Sequence, residues 1–398
     1  MPKLGNRLDV ISESVTLKLN SLVKKMKASG EDVINLTAGE PDFLVHPSLN
    51  EKIKEALSAG KSKYTPVPGE TEVREAIALK TNQQQLDLKK PWKAENVIVS
   101  NGGKHSLYQV FQAILNPGDE VVMMSPYWLS YPEMVKLGEG TPVIVETKPS
   151  DQFVATPEAL EAALSPRTKA VILNSPSNPS GAVYTKSQFK QLAAVLERFP
   201  DVWVISDEIY DQIVFNDEGF CSFLSAVPEF QERTITVNGM SKSCAMTGWR
   251  VGWTVGPVEL IGALTRLQGQ STSGINALAQ AATLAGLALP QEYFSQLKNT
   301  YQKRRDLMLE CLEKSGKIER VVPQGAFYAF VGIQSVLGSQ ETAVDFAENL
   351  LKEQKVAVVP GDPFGAPHFV RLSFATDEGS IQEGCRRIVS YMENKKNS

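Results

Sequence analysis

Val97-Ile98-Val99-Ser100-Asn101-Gly102-Gly103-Lys104 reads as a short β-branched strand that runs into two glycines. A helical pattern follows at once, with Leu107, Val110, Phe111 and Ile114 repeating on one face. The same rhythm of apolar run, turn and longer helical pattern recurs from about residue 95 to 256, with strands predicted at 97–100, 120–124, 142–145, 170–174, 202–206, 234–238 and 251–255. Such repetition is the signature of a mostly parallel sheet with crossover helices, so the fold class is α/β. Open sheets of this kind bind ligands beyond the carboxyl ends of their strands, where several of these runs end in polar or glycine-bearing loops.

The C-terminal third changes character. A helical stretch near 291–315 leads into a strand at 326–331, a helix at 343–354, strands at 356–359 and 369–374, and an amphipathic helix from Ser380, which together predict a smaller α+β domain. Near the start, Leu19, Leu22, Val23 and Met26 share one helical face with Gly30 as a stop, and this helix is expected to dock on the small domain. The predicted organisation is therefore an N-terminal segment 1–45 packing on the small domain, a large domain 46–290 and a small domain 291–398.

A chain of 398 residues suits two packed domains. Its 42% hydrophobic and 22% charged content and net charge of −4 give no reason to expect nucleic acid or an anionic membrane as partner. Neither a signal peptide nor a long apolar span is evident, so a cytoplasmic location is expected. Cys221, Cys244, Cys311 and Cys385 are widely spaced, without a CxxC pair or a His-Cys cluster, which argues against a disulfide framework and against bound metal.

Four stretches carry chemistry, and each has a plainer alternative. Gly102-Gly103-Lys104 at a strand-to-helix turn suits a phosphate or is simply tight-turn geometry, and it matches neither the Walker pattern nor GxGxxG. Asp207-Glu208-Ile209-Tyr210 closes an apolar strand: Asp207 either caps the next turn or is a buried carboxylate for a pyridine nitrogen, with the Tyr210 phenol nearby for a ring oxygen. Asn174-Ser175-Pro176-Ser177-Asn178-Pro179-Ser180-Gly181 is ordinary loop chemistry or a rigid loop presenting an amide. Ser241-Lys242 lies among small residues eight positions before Arg250. Lys242 is a solvated surface charge or an amine of lowered pKa able to form a Schiff base, and Arg250 would suit a phosphate.

In this order, Gly102-Gly103-Lys104, Asn178-Pro179-Ser180-Gly181, Asp207-Glu208-Ile209-Tyr210, Ser241-Lys242 and Gly248-Trp249-Arg250-Val251-Gly252 resemble the class I/II aminotransferases of pyridoxal phosphate fold type I. The resemblance extends to Leu36-Thr37-Ala38-Gly39-Glu40-Pro41-Asp42-Phe43, Tyr64-Thr65-Pro66-Val67-Pro68-Gly69, Ser125-Pro126-Tyr127-Trp128 and Val370-Arg371-Leu372-Ser373-Phe374-Ala375, nearly the whole chain. It implies pyridoxal 5'-phosphate on Lys242, which also shuttles the substrate's α-proton. Asp207 would pair with the ring nitrogen, and Tyr210 and Asn178 with the ring oxygen. Gly102, Gly103, Lys104, Ser241 and Arg250 would hold the phosphate, joined by Tyr64 of a second subunit in a homodimer with shared active sites; Trp128 would stack on the ring. Arg371 would clamp the substrate α-carboxylate, assisted by Gly39 and Asn178. Without the resemblance, Arg371 reads as a solvated edge charge.

Lys104 bears on the substrate, because a cation in the first turn of a helix opposes the macrodipole. The cofactor phosphate offsets it, or, as in the bacterial aspartate aminotransferase subgroup that the chain resembles, a distal substrate carboxylate does. The resemblance thus implies ping-pong transfer from L-aspartate to 2-oxoglutarate, with aromatic amino acids or prephenate as alternative substrates. A β-lyase on the same fold, or a non-catalytic binding protein, are the competing readings.

Overall fold

The computed structural model describes residues 4–13 and 15–395. Residues 1–3, 14 and 396–398, which fall within the predicted N-terminal segment and small domain, lie outside the described residues. In chain order the strands are β1 (Ile34–Asn35), β2 (Val97–Ser100), β3 (Glu120–Ser125), β4 (Thr141–Glu146), β5 (Thr168–Asn174), β6 (Trp203–Asp207) and β7 (Thr234–Gly239). They continue with β8 (Gly252–Val255), β9 (Glu319–Arg320), β10 (Tyr328–Gly332), β11 (Val356–Ala357), β12 (Val359–Pro360) and β13 (Phe369–Ser373).

Seven strands form the central sheet in the order β2-β8-β7-β6-β5-β3-β4. Neighbours pair in parallel except at β8, which is antiparallel to both β2 and β7. The near-continuous apolar runs follow from burial on both faces. Val97, Val99, Val122, Val171, Leu173 and Val204 point into one core. Ile98, Val121, Met123, Ala170, Ile172 and Ile205, one residue out of phase, point into the other.

The second sheet is antiparallel, in the order β12-β13-β10-β9. The helices Gln291–Glu313 and Glu378–Asn394 contribute Tyr301, Met308, Ile381 and Ile388 to its core, against Val331, Val370 and Leu372. Two expectations are corrected here. The run 356–359 is two strands: Val356 and Ala357 pair in parallel with β1, while Val359 and Pro360 pair with β13. The strand expected from Ala326 begins at Tyr328, because Ala326 takes a left-handed backbone (φ 57°) and bonds instead to Ile213.

The N-terminal helix Val15–Ala28 packs Val23 and Met26 on Leu351 and Ala357. Leu22, expected on the same buried face, is 45% exposed. It directly precedes Val23, and one residue rotates a helical side chain by about 100°. No helix among the described residues is long and apolar enough to cross a membrane, and no group of three or more His, Cys, Asp or Glu among them could hold a metal ion.

Candidate active site

The carboxyl ends of five strands supply the site. β2 ends at Ser100 before Gly102, β3 at Ser125 before Trp128, β5 at Asn174 before Asn178, β6 at Asp207 itself and β7 at Gly239 before Lys242. All five run in one direction, so their loops gather on one edge of the sheet.

Asp207 is the floor. It is buried, its Oδ2 accepts the Tyr131 hydroxyl at 2.6 Å, and its Oδ1 accepts the Ile209 amide at 3.3 Å. Burial raises its pKa to about 6, against the opposing pull of Tyr131, the Ile209 amide and Lys242. Both readings of Asp207 hold, since it caps the following turn through the Ile209 amide and is a buried carboxylate. Glu208, on the opposite face of the chain, is held by Ser206 and Ser222 and is lifted by burial to about 7.

Lys242 Nζ donates to the Gly39 carbonyl at 2.5 Å and lies 5.9 Å from the Tyr210 ring centre. Its pKa falls to about 8, first through burial and then through the like charges of Arg371 and Arg250, with Glu40 and Asp207 opposing. Lys242 is half-buried, with its amine between the rings of Tyr210 and Phe327 rather than in open solvent. The Tyr210 and Tyr328 hydroxyls meet at 3.0 Å.

Arg371 is 3% exposed, which overturns the reading of a solvated edge charge, because β13 lies between β12 and β10 rather than at the rim. Its Nη1 donates to Asn178 Oδ1 at 2.9 Å and its Nη2 to the Thr37 carbonyl at 3.0 Å. The guanidinium rests 4.3 Å from the Tyr328 ring centre. Its Nε is buried with no partner, an orphan donor of the kind folded proteins avoid unless a ligand satisfies it.

At the other end, the helix Gly103–Ile114 starts after Gly102, whose φ of 87° favours glycine, and no side chain caps its amides. A Cβ on Gly102 would stand 2.6 Å from Arg250 Nη2, and one on Gly252 would stand 2.3 Å from the Gly103 nitrogen. Both glycines are therefore needed for Arg250 and the helix start to approach each other. Arg250 donates to the Thr247 and Asn101 carbonyls.

Lys104 extends over Trp128, 5.0 Å from the ring centre. Its pKa is pushed below the ordinary lysine value, first by the protein atoms crowding it and then by Arg250, although much of the side chain still reaches solvent. Ser241 is buried beside Lys242. Tyr64 is 97% exposed and takes no part in this cluster.

Sequence reasoning missed Tyr131, Tyr328, Thr37 and Glu40. Tyr131 stands three residues beyond Trp128, and Thr37 and Glu40 lie inside a quoted motif, but no local pattern marks their long-range partners.

A buried acid, an amine of lowered pKa and a buried guanidinium with a free donor, set at the carboxyl edge of a mostly parallel sheet, are the features of an α/β enzyme's active site. The chain belongs to the aminotransferase class I and II family, whose family model matches residues 31–388. It is 41% identical over 398 residues to a probable aspartate/prephenate aminotransferase of Rhizobium leguminosarum bv. phaseoli, covering 98% of this chain and 99% of the relative. Among solved structures, the aspartate aminotransferase of Rhizobium meliloti superposes with a TM-score of 0.94 at 38% identity, covering 99% of each chain. That of Thermus thermophilus with maleate gives a TM-score of 0.91 at 41% identity, covering 98% of this chain and 100% of the other.

Proposed function

We propose that the chain transfers the amino group of L-aspartate to 2-oxoglutarate, giving oxaloacetate and L-glutamate, with pyridoxal 5'-phosphate carried on Lys242. The observation that carries this reading is the buried Arg371 with its orphan Nε, electrostatically coupled to the lowered Lys242 amine. A carboxylate on Arg371 would bring an attached α-carbon towards that amine.

The residues present fit the cofactor. The uncapped helix start and the glycine approach beside Arg250 suit a phosphate, which Gly102, the backbone at Gly103 and Lys104, Ser241 and Arg250 would hold. Asp207, ionised at neutral pH and shielded from water, suits a protonated ring nitrogen. Tyr210 and the amide nitrogen of Asn178, whose oxygen is already engaged by Arg371, suit the ring oxygen. Trp128 suits the ring face. When bound, pyridoxal phosphate supplies an electron-withdrawing ring that makes the α-hydrogen of an attached amino acid acidic.

The chain's own residues do the rest. Arg371 binds and orients the α-carboxylate, with Gly39 and Asn178 at its side. Lys242 Nζ would take the proton from the substrate's α-carbon, a role suited to an amine that is partly neutral near pH 7. Lys104 receives the distal carboxylate, and its exposed position over Trp128 supports a dicarboxylic substrate class. The relatives' names and the maleate of the Thermus structure support the same class. Prephenate, also a dicarboxylate, is the second reading that this cation favours.

The same reading takes 46–290 as the cofactor-binding domain, with 1–45 and 291–398 forming the smaller unit over it. It takes the protein as a cytoplasmic homodimer, in which the exposed Tyr64 of one copy completes the phosphate site of the other. Four free cysteines support a reducing compartment. The test is an absorption spectrum of the purified protein. A cofactor band that changes with L-aspartate, returns with 2-oxoglutarate and is altered from the start in Lys242→Ala supports the reading; a band indifferent to L-aspartate refutes the substrate, and no band after reconstitution refutes the cofactor.

A further inference from the structure

Glu40 has no part in the chemistry above, yet it touches the site. It follows Gly39 in segment 36–43, which leads from β1 towards the helix Pro47–Ser58 and is pinned along its length. The Thr37 carbonyl accepts from Arg371 at 3.0 Å, the Gly39 carbonyl accepts from Lys242 at 2.5 Å, and Asp42 pairs with Arg304 at 2.8 Å. Between these points, Glu40 Oε2 accepts the Thr247 hydroxyl at 3.0 Å, and the Thr247 carbonyl in turn accepts Arg250 Nη1 at 2.7 Å.

We propose that Glu40 is a positioning residue, which latches segment 36–43 onto the loop bearing Lys242 and Arg250 and supplies the negative charge at the open side of the lysine. The latch joins stretches 207 residues apart in sequence. Through it, one carboxylate restrains the carbonyl that receives Arg250 and the strand of backbone that receives Lys242.

The charge balance supports this role. The groups facing the Lys242 amine are Gly39 and Glu40 from segment 36–43, Asp207 from β6, the ring of Tyr210, the ring of Phe327, Arg371 from β13, and Arg250. Two are cations and two are acids. Asp207 is buried, while Glu40 is exposed to solvent. With Glu40 neutralised, the two guanidiniums face Asp207 alone and the ammonium form loses support.

The proposal rests on Lys242 being the reactive amine, and two variants separate its charge from its hydrogen bond. Glu40→Gln keeps an acceptor for Thr247 but removes the charge; Thr247→Val keeps the charge but removes the bond. The full-length protein, freed of cofactor and checked for folding by circular dichroism, is labelled with an acylating reagent across pH, and Lys242 modification is read by mass spectrometry. The parent is expected to titrate near 8, and Glu40→Gln lower by roughly half a unit. Thr247→Val is expected to speed amide hydrogen exchange across 243–250 by about threefold or more, an effect Glu40→Gln lacks. If Glu40→Gln titrates with the parent, or Thr247→Val exchanges with it, the latch is refuted. If the parent itself titrates at the ordinary lysine value, the reading of Lys242 fails and the latch with it.

Discussion

Arg371→Lys preserves charge and approximate length, so it isolates the geometry of the guanidinium. Arg371 spends one Nη1 hydrogen on Asn178 and one Nη2 hydrogen on Thr37, which leaves the orphan Nε and the remaining Nη hydrogens for a substrate carboxylate. A lysine ammonium has three donors and no planar fork, so it cannot satisfy both protein oxygens and also grip a carboxylate at two points. Losing one charge-assisted hydrogen bond to substrate costs about 1.5–3 kcal/mol. That is roughly a 10- to 150-fold fall in kcat/KM for L-aspartate. An unsatisfied Asn178 or Thr37 oxygen would also lower stability by about 1–3 kcal/mol. Steady-state kinetics against both substrates, with a thermal melt and the cofactor spectrum as controls, reads these effects separately. A variant within about threefold of the parent in kcat/KM, with its spectrum intact, would refute the assignment of Arg371 as the carboxylate receptor.

Other perturbations probe the floor, the phosphate end and the mouth. Asp207 has its folded pKa raised from 3.8 to about 6, so the stability this one group contributes below pH 4 is lost as pH rises through about 6. Asp207→Asn removes up to about 3 kcal/mol of that penalty; the variant without cofactor should melt no lower than the parent at alkaline pH in calorimetry, yet after reconstitution with cofactor it should lose on the order of 100-fold or more in kcat. Gly102→Ala adds a Cβ 2.6 Å from Arg250 Nη2 at φ 87°; equilibrium dialysis should find cofactor affinity reduced by about tenfold or more, with a stability loss of about 1–2 kcal/mol. Lys104→Gln should lower kcat/KM for L-aspartate by about 10- to 30-fold while leaving L-alanine turnover nearly unchanged, since the distal carboxylate loses its partner while the backbone amide at position 104 stays in place for the phosphate.

The central sheet was legible because its strands are buried on both faces. Val97, Val121 and Val171 lie in unbroken apolar runs that admit few register choices. The reversed direction of β8 had a subtler sign: no regular α-helix separates β7 from it, only the loop that carries Lys242. Lys242, Asp207, Arg250 and Arg371 could be picked out because their neighbours formed a recognisable ordered set. Tyr131 and Tyr328 could not, since their partners Asp207 and Tyr210 stand 76 and 118 residues away and meet them only after folding. The division of 356–359 between two sheets was equally hidden, because Val358 and its apolar neighbours fit one strand as well as two.

The central claim is amino transfer between two dicarboxylic acids on a single site. The purified protein, reconstituted with pyridoxal 5'-phosphate, is incubated with heavy-nitrogen-labelled L-aspartate and unlabelled 2-oxoglutarate, and the products are followed by mass spectrometry. The account predicts label in L-glutamate in step with oxaloacetate formation, and no transfer with Lys242→Ala. Release of labelled ammonia without labelled glutamate, or turnover that needs no 2-oxo acid, would contradict it.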